Sequence, residues 1–275
     1  MPIVVQTNVA SLEAQKNLHR AQSALSKSFN RLSSGYRINS AADDAAGLAL
    51  SESMKTQIRS FVVAERNAND AISMAQTAEG ALGEMHDILG RMRELAMQSA
   101  NGSMTADARG MIDTEYSALK EELARIQNSA TFNGQPLLNT TTNSITFQVG
   151  LNDDANDQLT INFTGPDLTD LQASSVTGSD PTNPLAALSD IDTALSAIST
   201  RRAEMGASMN RLEIVTTNIQ TARLNLAAAN SRIRDVDVAE EMSHMTKNQI
   251  LSQAGVSVLA QAGQLPQLAL SLLQG

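Results

Sequence analysis

The stretch IDTALSAISTRRAEMGASMNRLEIVTTNIQTARLNLAAANSRI, residues 191–233, decides the fold. Ile191, Ile198, Met205, Leu212, Ile219, Leu226 and Ile233 stand seven apart without a miss. An apolar residue in every heptad over so long a run predicts one long α-helix packed along a seam. The positions four further on are mixed. Leu195 and Met209 are apolar, whereas Arg202, Thr216, Arg223 and Asn230 are polar. The stripe is therefore narrower than a leucine zipper and suits the edge of a helical bundle. A helix over 184–234 would run roughly 75 Å at the α-helical rise.

Partners for that helix lie upstream. Ala78, Leu82, Met85, Leu89, Met92 and Ala96 alternate at spacings of four and three, as do Ile112, Tyr116, Leu119, Leu123 and Ile126. Leu18, Leu25 and Leu32 repeat at seven. Breaks fall at Ser33-Ser34-Gly35, Asn101-Gly102-Ser103 and Asn133-Gly134-Gln135-Pro136. The pattern predicts helices over about 4–33, 44–100 and 105–129. Asp43-Asp44 stands where the second begins, favourable for the N-terminal dipole. Between 131 and 183 the chain turns rich in Asn, Thr, Ser, Gly and Asp. There Ile145, Phe147 and Val149, then Leu159, Ile161 and Phe163, alternate with polar residues around the acidic loop DDAND, predicting a β-hairpin with one buried face. The expected fold class is mainly α, with long terminal helices forming a coiled coil and helical bundle and a small β-hairpin in mid-chain. The two ends of the chain are expected to lie side by side.

Composition narrows the function. The chain has 275 residues and a net charge of −9, and no basic cluster stands out, which argues against nucleic acid as a partner. With no cysteine there is no disulfide framework, thiol nucleophile or thiolate metal site. His19, His86 and His244 have no second His at helical spacing and read as ordinary helix residues. Asp153-Asp154 lacks the Gly and closing Glu of a calcium loop, and Asp235/Asp237 is an equally bare carboxylate pair. No nucleophile elbow or phosphate-binding loop appears. No enzyme activity, catalytic residue, cofactor or metal is expected.

The two ends carry the functional signal. Residues 248–275 contain no charge, and neither do residues 1–12. Six glutamines, Pro266 and two internal glycines rule the tail out as a membrane span. The N-terminus lacks the basic region and apolar run of a signal peptide, so any export is expected without a cleaved leader. Apolar, charge-free ends make sense when buried among copies of themselves. The expected assembly core takes Val5, Val9, Leu12, Leu18, Leu25 and Leu32 from the first end. From the last it takes Ile250, Leu251, Val256, Val258, Leu259, Leu265, Leu268 and Leu272.

Several runs also resemble bacterial flagellin: NRLSSGYRINSAADDAAGLALS (30–51), RMRELAMQSANG (91–102), TFNGQPLL (131–138), SRIRDVDVAEEMS (231–243) and QILSQAGVSVLAQAGQLPQLALSLL (249–273). The resemblance covers about 1–140 and 184–275, in order. Gln6 departs from the family's usual Asn, and only about fifty residues stand where many flagellins carry large outer domains. The chain therefore resembles a minimal flagellin with a smooth filament surface. The resemblance implies a terminal coiled-coil domain lining the filament core (1–43 with 235–275), a helical bundle domain (44–130 with 184–234) and a short hairpin segment attached to the bundle (131–183). It implies a structural subunit of the extracellular flagellar filament used for swimming, a homopolymer exported through the flagellar type III apparatus. The alternative is a hook–filament junction protein of the same superfamily. It further implies an export chaperone on about 235–275, filament cap and hook-junction partners, and recognition of the monomer by the vertebrate flagellin-sensing Toll-like receptor through Arg91, Leu95 and Glu115.

Overall fold

The structure, a computed structural model, describes residues 7–141, 143–178 and 181–274, with side chains described as far as Gln264. Its elements are, in order, α1 (Val9–Ser34), α2 (Ala45–Ser99), α3 (Ala106–Ser129), β1 (Thr131–Phe132), β2 (Gln135–Pro136), β3 (Ser144–Gln148), β4 (Gln158–Asn162), α4 (Thr169–Ala173), α5 (Thr182–Arg234) and α6 (Val238–Gln274). A 3-10 turn, Ala155–Asp157, leads into β4. The first helix starts later than its apolar pattern suggests. The Asn8 side chain accepts from the Ser11 amide at 3.0 Å, and this N-cap sets the first turn at Val9. Asp44 does the same for α2, accepting from Gly47 N at 2.9 Å, and Thr105 for α3, accepting from Ala108 N at 3.3 Å. At the other end of α1, Gly35 takes φ 74° and donates to Arg31 O at 2.9 Å, a left-handed C-cap that suits glycine.

Contacts divide the chain into two compact units. One takes residues up to Ile58 and from Leu224 onward; the other is Arg59–Arg223. The divisions fall inside α2 and α5, so each of these helices belongs to both units.

In the second unit the predicted seam is the core. Ile191, Ile198, Met205 and Leu212 of α5 are buried in one cluster with Met74, Leu82, Met85, Leu89 and Met92 of α2 and with Tyr116 and Leu123 of α3, and Ile219 is buried further along the same seam. Leu226 and Ile233, the last two of the heptad series, are only half-buried and belong to the first unit. The polar positions beside the seam form a ladder between antiparallel α2 and α5. Glu65 meets Gln220 and Arg223, Glu79 accepts from Arg202 at 2.7 Å, and Arg93 donates to Asp192 at 2.8 Å. Each pair is partly exposed and adds little stability. Together they disfavour register slips that the repetitive apolar stripe would otherwise tolerate.

The hairpin forms as expected but with shorter strands. β3 and β4 pair antiparallel, with Ile145 opposite Ile161 and Phe147 opposite Leu159, and the Thr146 and Thr160 hydroxyls lie 2.9 Å apart on the outer face. Leu159 and Ile161 are buried, as is Phe163 just beyond the strand, whereas Ile145 and Phe147 are half-buried. Val149 lies outside the ladder because the amides of both Val149 and Gly150 donate to the single Asp157 carbonyl at 2.9 Å, a two-to-one bulge that ends the pairing. A second, smaller pair, β1–β2, turns at Asn133 (φ 49°) and Gly134 (φ 78°). It delivers Leu137 and Leu138 to the core.

Candidate functional site

The first unit holds the charge-free ends, and its geometry sorts their residues into two classes. α1 packs along α6. On α1 the inner positions are Ser11, Ala14, Leu18, Ala21, Leu25, Ser28 and Leu32, spaced three and four apart. On α6 they are Glu241, Met245, Asn248, Ser252, Gly255, Leu259 and Ala262, a four–three series. This is a coiled-coil seam made largely of small and polar residues. Three contacts spaced along it hold the register. Arg31 donates to Glu241 at 3.3 Å, Gly255 lies against Leu18, and Asn8 Nδ2 donates to Ala262 O at 2.7 Å. A Cβ at position 255 would sit 3.4 Å from Leu18 Cδ1, so the helices are already as close as a methyl group permits.

Several of the side chains expected in the assembly core point away from this seam. Val9, Leu12, Ile250, Leu251, Val256 and Val258 are exposed, Ile250 to 59%. Leu18, Leu25, Leu32 and Leu259 are half-buried. Val5 and the side chains of Leu265, Leu268 and Leu272 lie outside the described residues. Ile250 stands on the back of α6, and Leu251 and Val256 flank the seam on its two sides. A helix with apolar residues all round is a buried helix. α1 covers only one side of α6, so the other sides await cover. Among the described residues no helix is long and apolar enough to cross a membrane.

Beyond Gly35 the chain is pinned to the α5–α6 junction. The Arg37 amide donates to Arg234 O at 2.6 Å, its guanidinium to Ile233 O at 2.6 Å, and the Val236 amide to Gly35 O at 3.1 Å. The Arg234 guanidinium lies 4.5 Å from the Tyr36 ring centroid and reaches Glu52. Lys27 contacts Asp43 at 2.7 Å. This hydrogen bond, joined by the amides of Ser40 and Asn39, pushes the Asp43 carboxyl down to about 2. A depressed carboxylate contributes stability above its ordinary pKa, and that contribution disappears as pH falls from about 4 towards 2. Lys27→Met is therefore expected to raise the Asp43 titration midpoint. Its thermal destabilisation relative to the native chain should be evident at pH 7 and close to zero at pH 2. Carboxyl NMR titration and circular dichroism melts check both, and an unmoved Asp43 midpoint would contradict the assignment.

Of the residues singled out on the bundle, Arg91 and Glu115 come together at 2.9 Å across α2 and α3, with Glu94 also 2.9 Å from Arg91. Both carboxylates, Glu94 first, push the Arg91 pKa up. Arg91 and Glu115 are half exposed, whereas Leu95 is 3% exposed and packs in the core. Two of the candidate carboxylates serve as caps. Asp154 accepts from Asn156 N at 3.0 Å, and Asp237 accepts from Ala239 N at 2.9 Å at the start of α6. Asp235 lies in an isolated bridge with Tyr36. Among the described residues no three His, Cys, Asp or Glu gather to hold a metal. His86 is half-buried with its Nδ1 unpartnered, while His19 and His244 are exposed.

Periodicity alone missed Arg109. It is 1% exposed, and its guanidinium donates to Ser99 O at 2.9 Å, Gly178 O at 3.2 Å and Asn101 O at 3.3 Å. It thus closes the C-terminus of α2 and ties in the segment before α5. A signal was available, because Arg109 falls three residues before Ile112, in phase with the apolar face of α3.

A family model for the bacterial flagellin N-terminal helical region matches residues 5–143, and one for the bacterial flagellin C-terminal helical region matches 188–273. A flagellin of Halalkalibacterium halodurans is 44% identical over 276 residues, covering 99% of this chain and 100% of that protein. A flagellin of Bacillus subtilis is 41% identical over 304 residues, covering 98% and 99%. Among solved structures, Bacillus cereus flagellin is 33% identical with a TM-score of 0.49, covering 60% of this chain and 94% of that one. A putative flagellar hook-associated protein from Vibrio parahaemolyticus is 15% identical with a TM-score of 0.60, covering 70% and 100%, a likeness of fold.

Proposed function

The chain belongs to the bacterial flagellin family, and from that premise we propose that the outward faces of α1 and α6 are the surfaces through which its copies join. Its function is that of a structural subunit that self-assembles into the helical flagellar filament of swimming bacteria. One observation carries the assignment of the surface: beyond Lys247, α6 bears apolar residues and no charge on any side, and a single copy covers only one side. The uncovered sides differ from one another, so the contacts they make are heterologous and repeat without closing, as a helical polymer requires. The terminal segments 1–43 and 235–275 then form the inner layer of the filament, and the bundle segments 44–130 and 184–234, with the hairpin segment 131–183, the layer outside it.

Sedimentation and negative-stain microscopy of purified monomer with filament seeds test this, using the full chain against a chain ending at Lys247. Filaments are expected from the full chain and none from the shortened one. Equal polymerisation of both would place the contacts outside α6. A full chain that stays monomeric with seeds would favour the hook–filament junction reading.

The family resemblance supports finer partners. An export chaperone holds about 235–275 before assembly, and cap and hook-junction proteins bound the filament. The flagellin-sensing Toll-like receptor reads Arg91 and Glu115 on the monomer, with Leu95 acting from the core by seating that turn of α2. Arg91→Ala monomer is expected to lose most receptor-reporter signal, and undiminished signalling would rule this contact out.

A further inference from the structure

The chain has two Asn-Gly steps, Asn101-Gly102 and Asn133-Gly134. A glycine after asparagine leaves the peptide nitrogen open to the asparagine side chain, because no Cβ stands in the way. The settings of the two steps differ. Asn133-Gly134 is the tight turn of the β1–β2 pair, closed by the pairing of Phe132 with Gln135, and among the described residues its Asn133 side chain makes no hydrogen bond. Asn101-Gly102 is exposed in the connection from α2 to α3, and a Cβ at Gly102 would meet nothing within 4 Å. Hydrogen bonds engage both carbonyls of Asn101. Its side-chain Oδ1 accepts from the Ser103 amide at 3.1 Å. Its main-chain oxygen accepts from the Met104 amide at 3.1 Å and from Arg109 Nη2 at 3.3 Å. Among the described residues nothing holds the Asn101 carboxamide nitrogen, whereas Asn67, Asn128 and Asn143 each donate through theirs.

We propose that Asn101-Gly102 is a self-modification site at which Asn101 is converted to isoaspartate. The Gly102 amide nitrogen, on losing its proton, attacks Asn101 Cγ. A bond forms between them and closes a succinimide ring. The bond from Cγ to Nδ2 breaks, and that nitrogen leaves as ammonia with the proton that Gly102 gave up. The Ser103 amide donates to the oxygen on which negative charge develops, as an oxyanion hole does. Arg109 acts on the same peptide group from its other side. The Asn101 carbonyl and the Gly102 N–H share one conjugated unit, so a cation donating to the first makes the second more acidic. Water then opens the ring. Addition at the main-chain carbonyl breaks its bond to Gly102 N, frees an α-carboxylate and leaves the chain running through Cγ, which is isoaspartate. Addition at Cγ gives aspartate instead. The main-chain carbonyl is the one that Arg109 polarises, and the carboxylate formed there stays beside the same guanidinium, so isoaspartate is the favoured product. The change adds one negative charge and one main-chain atom to the α2–α3 connection, and it consumes only water.

Ageing of the full-length monomer at neutral pH tests the site, with the folded chain set beside the same chain in urea. Mass spectrometry follows the peptides that carry each Asn-Gly step. A protein-isoaspartate methyltransferase with its labelled methyl donor reports the isoaspartyl product. In the folded chain Asn101 is expected to convert about tenfold faster than Asn133. In urea the two rates should converge, because the donors around Asn101 are gone, and the isoaspartate share at 101 should fall. Ser103→Pro removes the amide donor and is expected to slow Asn101 in the folded chain by about fivefold while leaving Asn133 unchanged. Circular dichroism shows whether that variant is folded, and the comparison with urea decides the matter even if it is not. Equal rates at the two steps in the folded chain, or an Asn101 that reacts more slowly folded than in urea, would overturn the site. All of these readings come from the monomer, so they stand apart from the filament assignment.

Discussion

Ile250→Asp is expected to abolish filament formation while leaving the monomer folded. Ile250 is 59% exposed on the side of α6 away from α1, so a carboxylate there stays hydrated in a single copy. On the assembly surface proposed above, neighbouring copies cover the same position in the filament. An unpaired buried carboxylate costs at least several kcal/mol, and the cost recurs at every subunit. Even about 3 kcal/mol per added copy raises the critical concentration by roughly two orders of magnitude. Asp153→Ser, on the exposed hairpin tip, serves as the control and should polymerise normally. The check is sedimentation at graded protein concentration, with circular dichroism to show an unchanged monomer. If Ile250→Asp forms filaments at the native critical concentration, the back of α6 is not an assembly surface. The inner seam makes the complementary point. Its residues are largely small and polar, so it holds α1 and α6 close with limited apolar burial, and in the proposed assembly other copies cover the apolar sides that remain.

Arg109→Ala is expected to destabilise the second unit by about 3–5 kcal/mol, among the largest effects available from a single polar side chain. Three backbone carbonyls lose their donor, two of them in and just after the last turn of α2. There a cation also opposes the negative end of the helix dipole. The carbonyl of Ser99 has no water to turn to, since its surroundings are closed by Val176, whose own carbonyl accepts from Ser99 Oγ at 2.6 Å. For a unit of this size the thermal midpoint should fall by roughly 10 °C. Arg109→Lys should recover only part of it, because a single ammonium cannot span the fork of acceptors. A fall of no more than about a degree in a calorimetric scan would show that the carbonyls find other donors.

The two cases differ in how far the amino-acid order could have announced them. Ile250 sits in a charge-free run of 28 residues, and that run alone demands burial somewhere. The direction of burial was not legible. Val9, Leu12, Leu251, Val256 and Val258 read as an assembly core shared between copies, and within one copy they face outward while Ala14, Ala21, Ser28, Ser252 and Gly255 join the leucines on the seam. A periodic pattern weighs residues by hydrophobicity, whereas close helix packing selects small size at the contact. Arg109 failed for the opposite reason. A charged residue counts against a core position in any pattern, and only the converging carbonyls of Ser99, Asn101 and Gly178 make burial favourable there.

Taken by itself, the amino-acid order determined the long helices, their breaks, the alternating hairpin and the unmatched apolar ends, because each depends on local propensity and on a repeat of two, three and a half, or seven residues. It also carried the runs by which the chain resembles flagellin. Only the tertiary structure decided which side of each terminal helix is spent within the copy and which is left exposed. It alone placed Glu65, Glu79 and Arg93 opposite their partners on α5 and left Arg59, Arg66 and Asp87 without one. Those outcomes depend on the register and rotation of helix segments that lie 99 to 158 residues apart in the chain, and a helical repeat looks the same from every register until a partner is laid against it.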